Sequence, residues 1–308
     1  MNIAVRDDIN DPALQKFGVG QSVTRAEDPV LVRGEGQYTD DLYLPGQVYA
    51  VMVRSRHAHG MINNIDTTKA RKMPGVLAVY TGQDLAAYGP IKNILPLKNR
   101  DGSAMNKPPR PALPTDKVRC AGEAIAAVIA ETVSQARDAA EAVEVDIEAL
   151  PAITDMTAAD SPGAPQIYEQ APRNMAVDFY FGEGGKVAEA FAKAAHVTKL
   201  RLVNSRVVVS AMEPRSCLAE FDKAAGKFTF HVGCQGTFGM KNQLMDVLGL
   251  PGDKVRVLTS NVGGSFGMKA AVYPEYVPCL HGARELGRPV KWTADRGESF
   301  LSDHHGRD

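Results

Sequence analysis

EAIAAVIAETVSQARDAAEAVEV, residues 123–145, is the stretch whose reading decides the fold. Seven apolar residues follow Glu123 without a break, the pattern of a strand covered on both faces. From Ser134 onward Ala136, Ala139, Ala140 and Val143 fall on one stripe at helical spacing, and Val143–Glu148 turns back into a strand. Working towards the N-terminus, QVYAVMVR (Gln47–Arg54) and GVLAVYTG (Gly75–Gly82) are further strands. Asp66–Met73 is a short helix capped by Asp66 or Thr67. Short strands alternating with helices up to Leu150 give an α+β body with helices packed on a sheet.

Between these elements, Tyr88–Asp116 carries six prolines and reads as a long irregular loop, a length that is uncommon unless the loop covers a site or a partner. Residues 1–18 have no period and read as an N-terminal arm. Residues 151–173 hold Pro151, Pro162, Pro165 and Pro172 among small and polar residues, and are expected to link two separate bodies.

The second body runs from residue 174 to 308, with an amphipathic helix around Lys186–Ala195 and strand-like alternation over Val197–Val209. Lys227–Val232 is a strand with Phe228, Phe230 and Val232 facing one way, followed by Gly233-Cys234-Gln235-Gly236. A helix then uses Phe238, Leu244, Met245 and Leu248, closed by Gly249 and Pro251. The order recurs: strand Lys254–Leu258, glycine loop Gly263–Gly267, and a helix within Tyr273–Leu286 that Pro278 makes start late or kink. The last strand, Val290–Thr293, contains Trp292, and the polar His304-His305 end so soon after it reads as unfinished.

Composition narrows the function. The 308 residues carry 35 Lys+Arg against 36 Asp+Glu, a net charge of −1, which argues against a broadly basic nucleic-acid-binding surface. No apolar run approaches the ~20 residues of a membrane span, and the first twenty residues lack a secretory pattern, so the cytoplasm is the expected compartment. Cys120, Cys217, Cys234 and Cys279 are too far apart for a CxxC metal or iron-sulfur site and are expected to be reduced.

The chemistry-bearing candidates concentrate in two loops, Cys234–Thr237 and Val262–Lys269. Glycines in VGGSFGMK let backbone amides approach an anionic or bulky cofactor, Phe266 offers an apolar wall, and Gln235 offers donors and an acceptor without charge. The other reading of both loops is tight turns that pack helices on a sheet. The loop lacks the patterns of dinucleotide and phosphate-binding loops. It satisfies G-x-S-x-G around Ser265 without the sharp strand-to-helix context of a hydrolase elbow. The pairs His57/His59 and His304/His305 are metal ligands only if other segments supply more. Cys234 is a nucleophile only if His231, expected on the opposite face, reaches it. Glu213 and Arg215 are read as a fixed ion pair or as support for the Gln235 loop.

Several stretches in order resemble one family: residues 20–46, 118–152, 204–222 (NSRVVVSAMEPRSCLAEFD), GCQG at 233–236, LTSNVGGSFGMK at 258–269 and GRPVKWTADRGESF at 287–300. They resemble the molybdopterin-binding large subunits of the xanthine dehydrogenase, aldehyde oxidase and aerobic carbon monoxide dehydrogenase family. The resemblance implies an a/b hammerhead domain over 19–150, followed by the first part of the molybdopterin-binding domain over 174–308. It also implies hydroxylation of a small aldehyde, purine or N-heterocycle with water-derived oxygen, on molybdenum-molybdopterin in its cytosine dinucleotide form. By the same resemblance Gln235 hydrogen-bonds an oxo ligand of the metal, Phe266 stands beside the metal centre, and Gly264 and Gly267 let the backbone close around it. Iron-sulfur clusters and FAD are implied on partner subunits. Two features depart from the family pattern: Gly267-Met268-Lys269 replaces Gly-Gly-Lys, and Ser265 replaces a glycine. The family's late catalytic glutamate has no counterpart in this chain. The resemblance therefore implies a part completed by a further C-terminal polypeptide or segment, or alternatively a noncatalytic assembly or binding module derived from the family.

Overall fold

The computed structural model describes residues 25–305, so the expected arm over 1–18 lies outside the described residues. The described residues 25–37 belong to a unit of their own, in which Asp28–Leu31 makes one helical turn with Pro29 at its start and Arg33 is paired with Glu35. Everything from Tyr38 onward belongs to a second unit.

That second unit is built on a seven-stranded sheet in the order β3-β5-β1-β10-β7-β8-β9. The strands are β1 Val48–Arg54, β3 Val76–Thr81, β5 Ala124–Ala130, β7 Ser216–Asp222, β8 Lys227–Val232, β9 Val255–Leu258 and β10 Val290–Thr293. A separate three-stranded sheet pairs β2 Gly60–Asp66 with β4 Lys117–Val118 and with β6 Glu144–Ala149. Its centre is tight, because a Cβ on Gly60 would stand 2.5 Å from Ile147 Cγ2.

Strand β5 explains the architecture. Ala127 and Ile129 belong to the larger core, and Val128 and Ala130 to a smaller one on the opposite face. The smaller core is closed by helix α1, Val133–Glu141, through Ala136 and Ala139. Its N-cap is Thr132, two residues before Ser134: the Thr132 hydroxyl accepts the Gln135 N–H at 3.2 Å, and Gln135 returns to the Thr132 N–H. The larger core is closed by α4, Tyr276–Leu286, which packs on β7, β10 and β3. Its Gly282 permits the approach, since a Cβ there would lie 2.3 Å from Ile129 Cδ1.

The two segments expected as bodies on either side of residues 151–173 contribute strands to one sheet. Strands β1 and β10 pair in parallel, Val48 with Val290 and Tyr49 with Lys291, so strands from both sides of residues 151–173 share one layer. Burial drives this union, because β1 presents apolar residues to both cores and cannot be an exposed edge. The strand alternation expected over Val197–Val209 forms no named strand, and Leu200, Leu202 and Val203 are exposed. Helix α2, Gly184–Lys193, forms as expected but buries none of its residues. Further elements come in addition to the sequence reading, among them β2, β4, β7 and helix α5, Arg296–Ser302, capped by a reciprocal Asp295–Glu298 box. Helix α3, Thr237–Leu248, buries Met240, Leu244, Val247 and Leu248, while Phe238, expected inside, is 81% exposed.

A buried charge cluster pins the segments before and after these strands. Arg215, fully buried, donates to Glu275 at 3.0 and 3.3 Å, to Asp303 at 2.6 Å and to Ser302 Oγ at 2.7 Å. Arg54 from β1 reaches the same Glu275 at 2.9 Å and Glu298 of α5 at 2.9 Å. The Arg215 guanidinium lies 3.7 Å from the Tyr273 ring centroid. Burial raises the Glu275 carboxyl, but Arg215 and then Arg54 outweigh it and hold it at about 2. His304 stacks on Tyr273 with 4.5 Å between centroids, and its N–H donates to the Tyr273 hydroxyl at 3.0 Å. Asp303 and His304 are thus tied into the core. Burial, followed by the charges of Arg110 and Arg215, pushes the His304 imidazole down to about 4.

Arg215→Met is expected to cost about 3–5 kcal/mol, read from urea unfolding, because it leaves Glu275 and Asp303 buried without their main partner. Stability is also expected to fall in two acid steps. From pH 6.5 to about 4 the unfolded chain takes up the proton that buried His304 refuses, and from 4.5 to about 2 it takes up the one that Glu275 refuses. Urea midpoints across pH 8 to 3 check this, and His304→Gln should flatten the upper step only.

Candidate active site at the ends of two parallel strands

Strands β8 and β9 are parallel, with Phe228 beside Val255 and His231 beside Leu258, and α3 is the crossover between them. Parallel strands joined this way bring their C-terminal ends to one edge of the sheet, the usual place for a site in open α/β structures. The loop after β8 carries Gln235 and the loop after β9 carries Phe266. The two meet directly: the Gln235 N–H donates to the Lys269 carbonyl at 3.1 Å, and the Cys234 N–H to Thr259 Oγ1 at 3.4 Å.

The glycine loop holds a sequence of left-handed residues, with φ of +99° at Gly264, +49° at Phe266 and +92° at Gly267. Glycine takes this conformation freely, whereas phenylalanine pays about 1–2 kcal/mol. Yet the Phe266 side chain is 78% exposed, so burial does not offset the strain. Backbone strain of this kind clusters at active sites and ligand clamps. A Cβ on Gly264 would sit 3.1 Å from the Phe266 ring and 3.3 Å from Ala211 Cβ, so the loop closes on itself there. The backbone N–H groups of Gly264, Phe266 and Gly267 have no acceptor among the described residues, and neither does the exposed Gln235 side-chain amide. Gly236 begins α3 without a side-chain cap, which adds the positive end of a twelve-residue helix to the same edge. The arrangement presents donors and a partial positive field, suited to an anionic or oxo-bearing group.

Beneath the loops lies an ion pair that the sequence reading had not joined. Lys269, 1% exposed, donates through Nζ to Glu213 Oε2 at 2.7 Å and to the Glu213 carbonyl at 2.9 Å. Burial lowers the Lys269 ammonium pKa, opposed by Glu213. Glu213 also accepts the Gly263 N–H at 2.8 Å and donates its own N–H to the Gly263 carbonyl at 3.0 Å. The signal available was a lone lysine ending an otherwise uncharged loop, together with a glutamate held by Pro214.

The remaining candidates separate. Glu213 does not pair with Arg215, which belongs to the buried cluster, but Glu213 does support the site loops. Ser265 is buried and its hydroxyl accepts the Lys269 N–H at 3.0 Å, and β9 ends well before it, so there is no hydrolase elbow. His231 pairs with Glu220 at 3.0 Å, away from buried Cys234. His59 is buried against the Pro151 carbonyl at 2.8 Å while His57 is exposed, and among the described residues no group of His, Cys, Asp or Glu could hold a metal. Met268, in place of a glycine, fills the larger core. A cavity of about 620 Å³ opens beside α1 over β1 and β10, away from these loops. Another, of about 480 Å³, borders Ala271, Val272 and Gln243 just behind the glycine loop.

Residues 33–151 match the a/b hammerhead domain of aldehyde oxidase and xanthine dehydrogenase, and residues 167–308 match the molybdopterin cofactor-binding domain. The carbon monoxide dehydrogenase large chain of Afipia carboxidovorans is 34% identical over 94% of this chain and 37% of its own length. The nicotine 6-hydroxylase large subunit of Paenarthrobacter nicotinovorans is 33% identical over 96% of this chain and 36% of its own. Among solved structures, quinoline 2-oxidoreductase from Pseudomonas putida 86 superposes with a TM-score of 0.82 at 30% identity, covering 94% of this chain and 36% of that one. The chain thus spans little more than a third of these relatives.

Phe266→Gly should raise stability by about 1 kcal/mol in urea unfolding, because it relieves a left-handed phenylalanine that contributes little burial. An unchanged or lower midpoint would show that the ring packs more firmly than its exposure indicates.

Proposed function

Because the chain belongs, over the two domains it carries, to the aldehyde oxidase and xanthine dehydrogenase family, we propose that it is the molybdenum-binding part of a hydroxylase large subunit. The Gln235 and Phe266 loops would hold the cofactor, in its cytosine dinucleotide form, and the substrate would be a small aldehyde, purine or N-heterocycle. The observation that carries this reading is the convergence of acceptor-less N–H groups, a side-chain amide and a strained exposed aromatic at the ends of two parallel strands. The donor set fits the group: with no metal-ligating cluster among the described residues, the loops suit an anionic complex that brings its own metal ligands.

When bound, the molybdenum cofactor would supply a water-derived oxygen and accept the electron pair of the oxidation. The chain's own residues bind and orient. The Gln235 amide, fixed through its backbone on Lys269, donates to an oxo group; the N–H groups of Gly264, Phe266 and Gly267 neutralise charge; and the Phe266 ring walls off water. These loops offer no proton-accepting side chain, so in this reading the base belongs to a completing polypeptide or segment. Iron-sulfur and FAD partner subunits would take up the electrons, in a cytoplasmic assembly. The exposed apolar run Phe179–Phe181, the uncovered helix α2 and the unpaired Leu200–Val203 supply the surface that such a complement would cover.

Co-expression with the neighbouring reading frames tests the proposal. Stoichiometric molybdenum and pterin are expected. Gln235→Ala is expected to cut turnover of the completed assembly by about 100-fold while leaving the melting temperature within a degree or two. A stable partner complex containing neither metal nor pterin would make the chain a noncatalytic module instead.

A further inference from the structure

The geometry points to Lys269 and Glu213 as a positioning pair that couples the Gln235 loop to the Phe266 loop, so that neither loop keeps its shape without the other. Each polar contact of the pair is made to the site loops or within the pair itself. Lys269 Nζ holds Glu213 at two points, at 2.7 and 2.9 Å, while Glu213 holds Gly263 at two, at 2.8 and 3.0 Å. The Lys269 carbonyl receives the Gln235 N–H at 3.1 Å, and the Lys269 N–H goes to Ser265 at 3.0 Å. Glu213 also stands against the other loop: a Cβ on Gly233 would come 3.3 Å from its Oε2 and 3.5 Å from its Oε1, and Oε1 is buried with no partner.

A packing role alone does not account for this. Two apolar side chains would fill the same space without the desolvation that a buried ion pair incurs. An apolar pair cannot hold Gly263 by its N–H, and that bond anchors the start of a loop whose next residues include three left-handed positions. Glycine-rich backbone has many conformations available, and strained φ values persist only where surrounding contacts over-determine them. The pair supplies those contacts at both ends of the loop, Gly263 and Lys269, and passes one on to Gln235. The loop coupling stands on geometry alone; its consequence for turnover rests on the proposed function.

Amide hydrogen exchange on the full chain tests the coupling directly, comparing the unsubstituted protein with Lys269→Met and Glu213→Gln. Exchange over residues 233–238 and 259–269 is expected to accelerate together, by about tenfold or more in Lys269→Met and less in Glu213→Gln, which keeps an acceptor for Gly263. The strand amides of 124–130 should keep their rates. Acceleration confined to 259–269, no acceleration in either loop, or acceleration spread equally to 124–130 in both variants would overturn the inference. In the completed enzyme the same substitutions should lower kcat more than they raise KM. Coupled exchange in a protein that holds no molybdenum would leave the positioning pair standing and remove the proposed function.

Discussion

Arg215 has no route to water, and its charge is matched by Glu275 and Asp303, while Arg54 closes the other side of Glu275. The molecule depends on this cluster because its members come from four places far apart in sequence: β1, the turn before β7, the entrance to α4, and α5 with the residues after it. Apolar packing alone specifies which faces are buried but tolerates sliding. Charged groups removed from water do not tolerate it, since any register that separates them leaves an unpaired ion in the core. The cluster therefore fixes β1 against β10 and β7, and so determines that strands on either side of residues 151–173 form one layer.

The site uses the same device on a smaller scale. The parallel pair β8 and β9 sets the direction of both loops, and α3 sets their separation. Lys269 and Glu213 then lock loop to loop beneath the surface. What remains exposed is a set of backbone donors and one aromatic ring, neutral groups whose placement matters more than their charge. Such a site is preorganised: its reorganisation cost is met during folding, by contacts that never touch a ligand.

Much of this was legible from residue order. The unbroken apolar run after Glu123 declares a doubly covered strand, the alternation in Lys227–Val232 assigns its inward face, and Gly249 and Gly287 close their helices with φ of +65° and +63°. The glycine pattern located the candidate loops, residue chemistry put Gln235 and Phe266 forward within them, and the family resemblance gave both a role. Other features were not legible because their cause is not local. Ser216–Asp222 contains Glu220 and ends in Asp222, and only the strands on either side make it a central strand. Phe238 has the hydrophobicity of a core residue, but the sheet edge leaves it outside. The Asp295–Glu298 cap was readable from the spacing of its two carboxylates. The partners of Glu213 and Arg215 lie fifty or more residues away, so adjacency in Met212-Glu213-Pro214-Arg215 suggested a pair that the fold divides.

The parallel pairing of Val48 with Val290 has a consequence for biosynthesis. A ribosome that has delivered β1, β3 and β5 still has some 160 residues to polymerise before β10 emerges, about ten to thirty seconds at ordinary elongation rates. Throughout that interval the nascent chain carries an apolar strand with one side unhydrogen-bonded, able to pair with a strand of a neighbouring polypeptide as readily as with its own. The long separation of β1 from β10 therefore exposes this edge to mispairing during synthesis, whatever the stability of the finished fold.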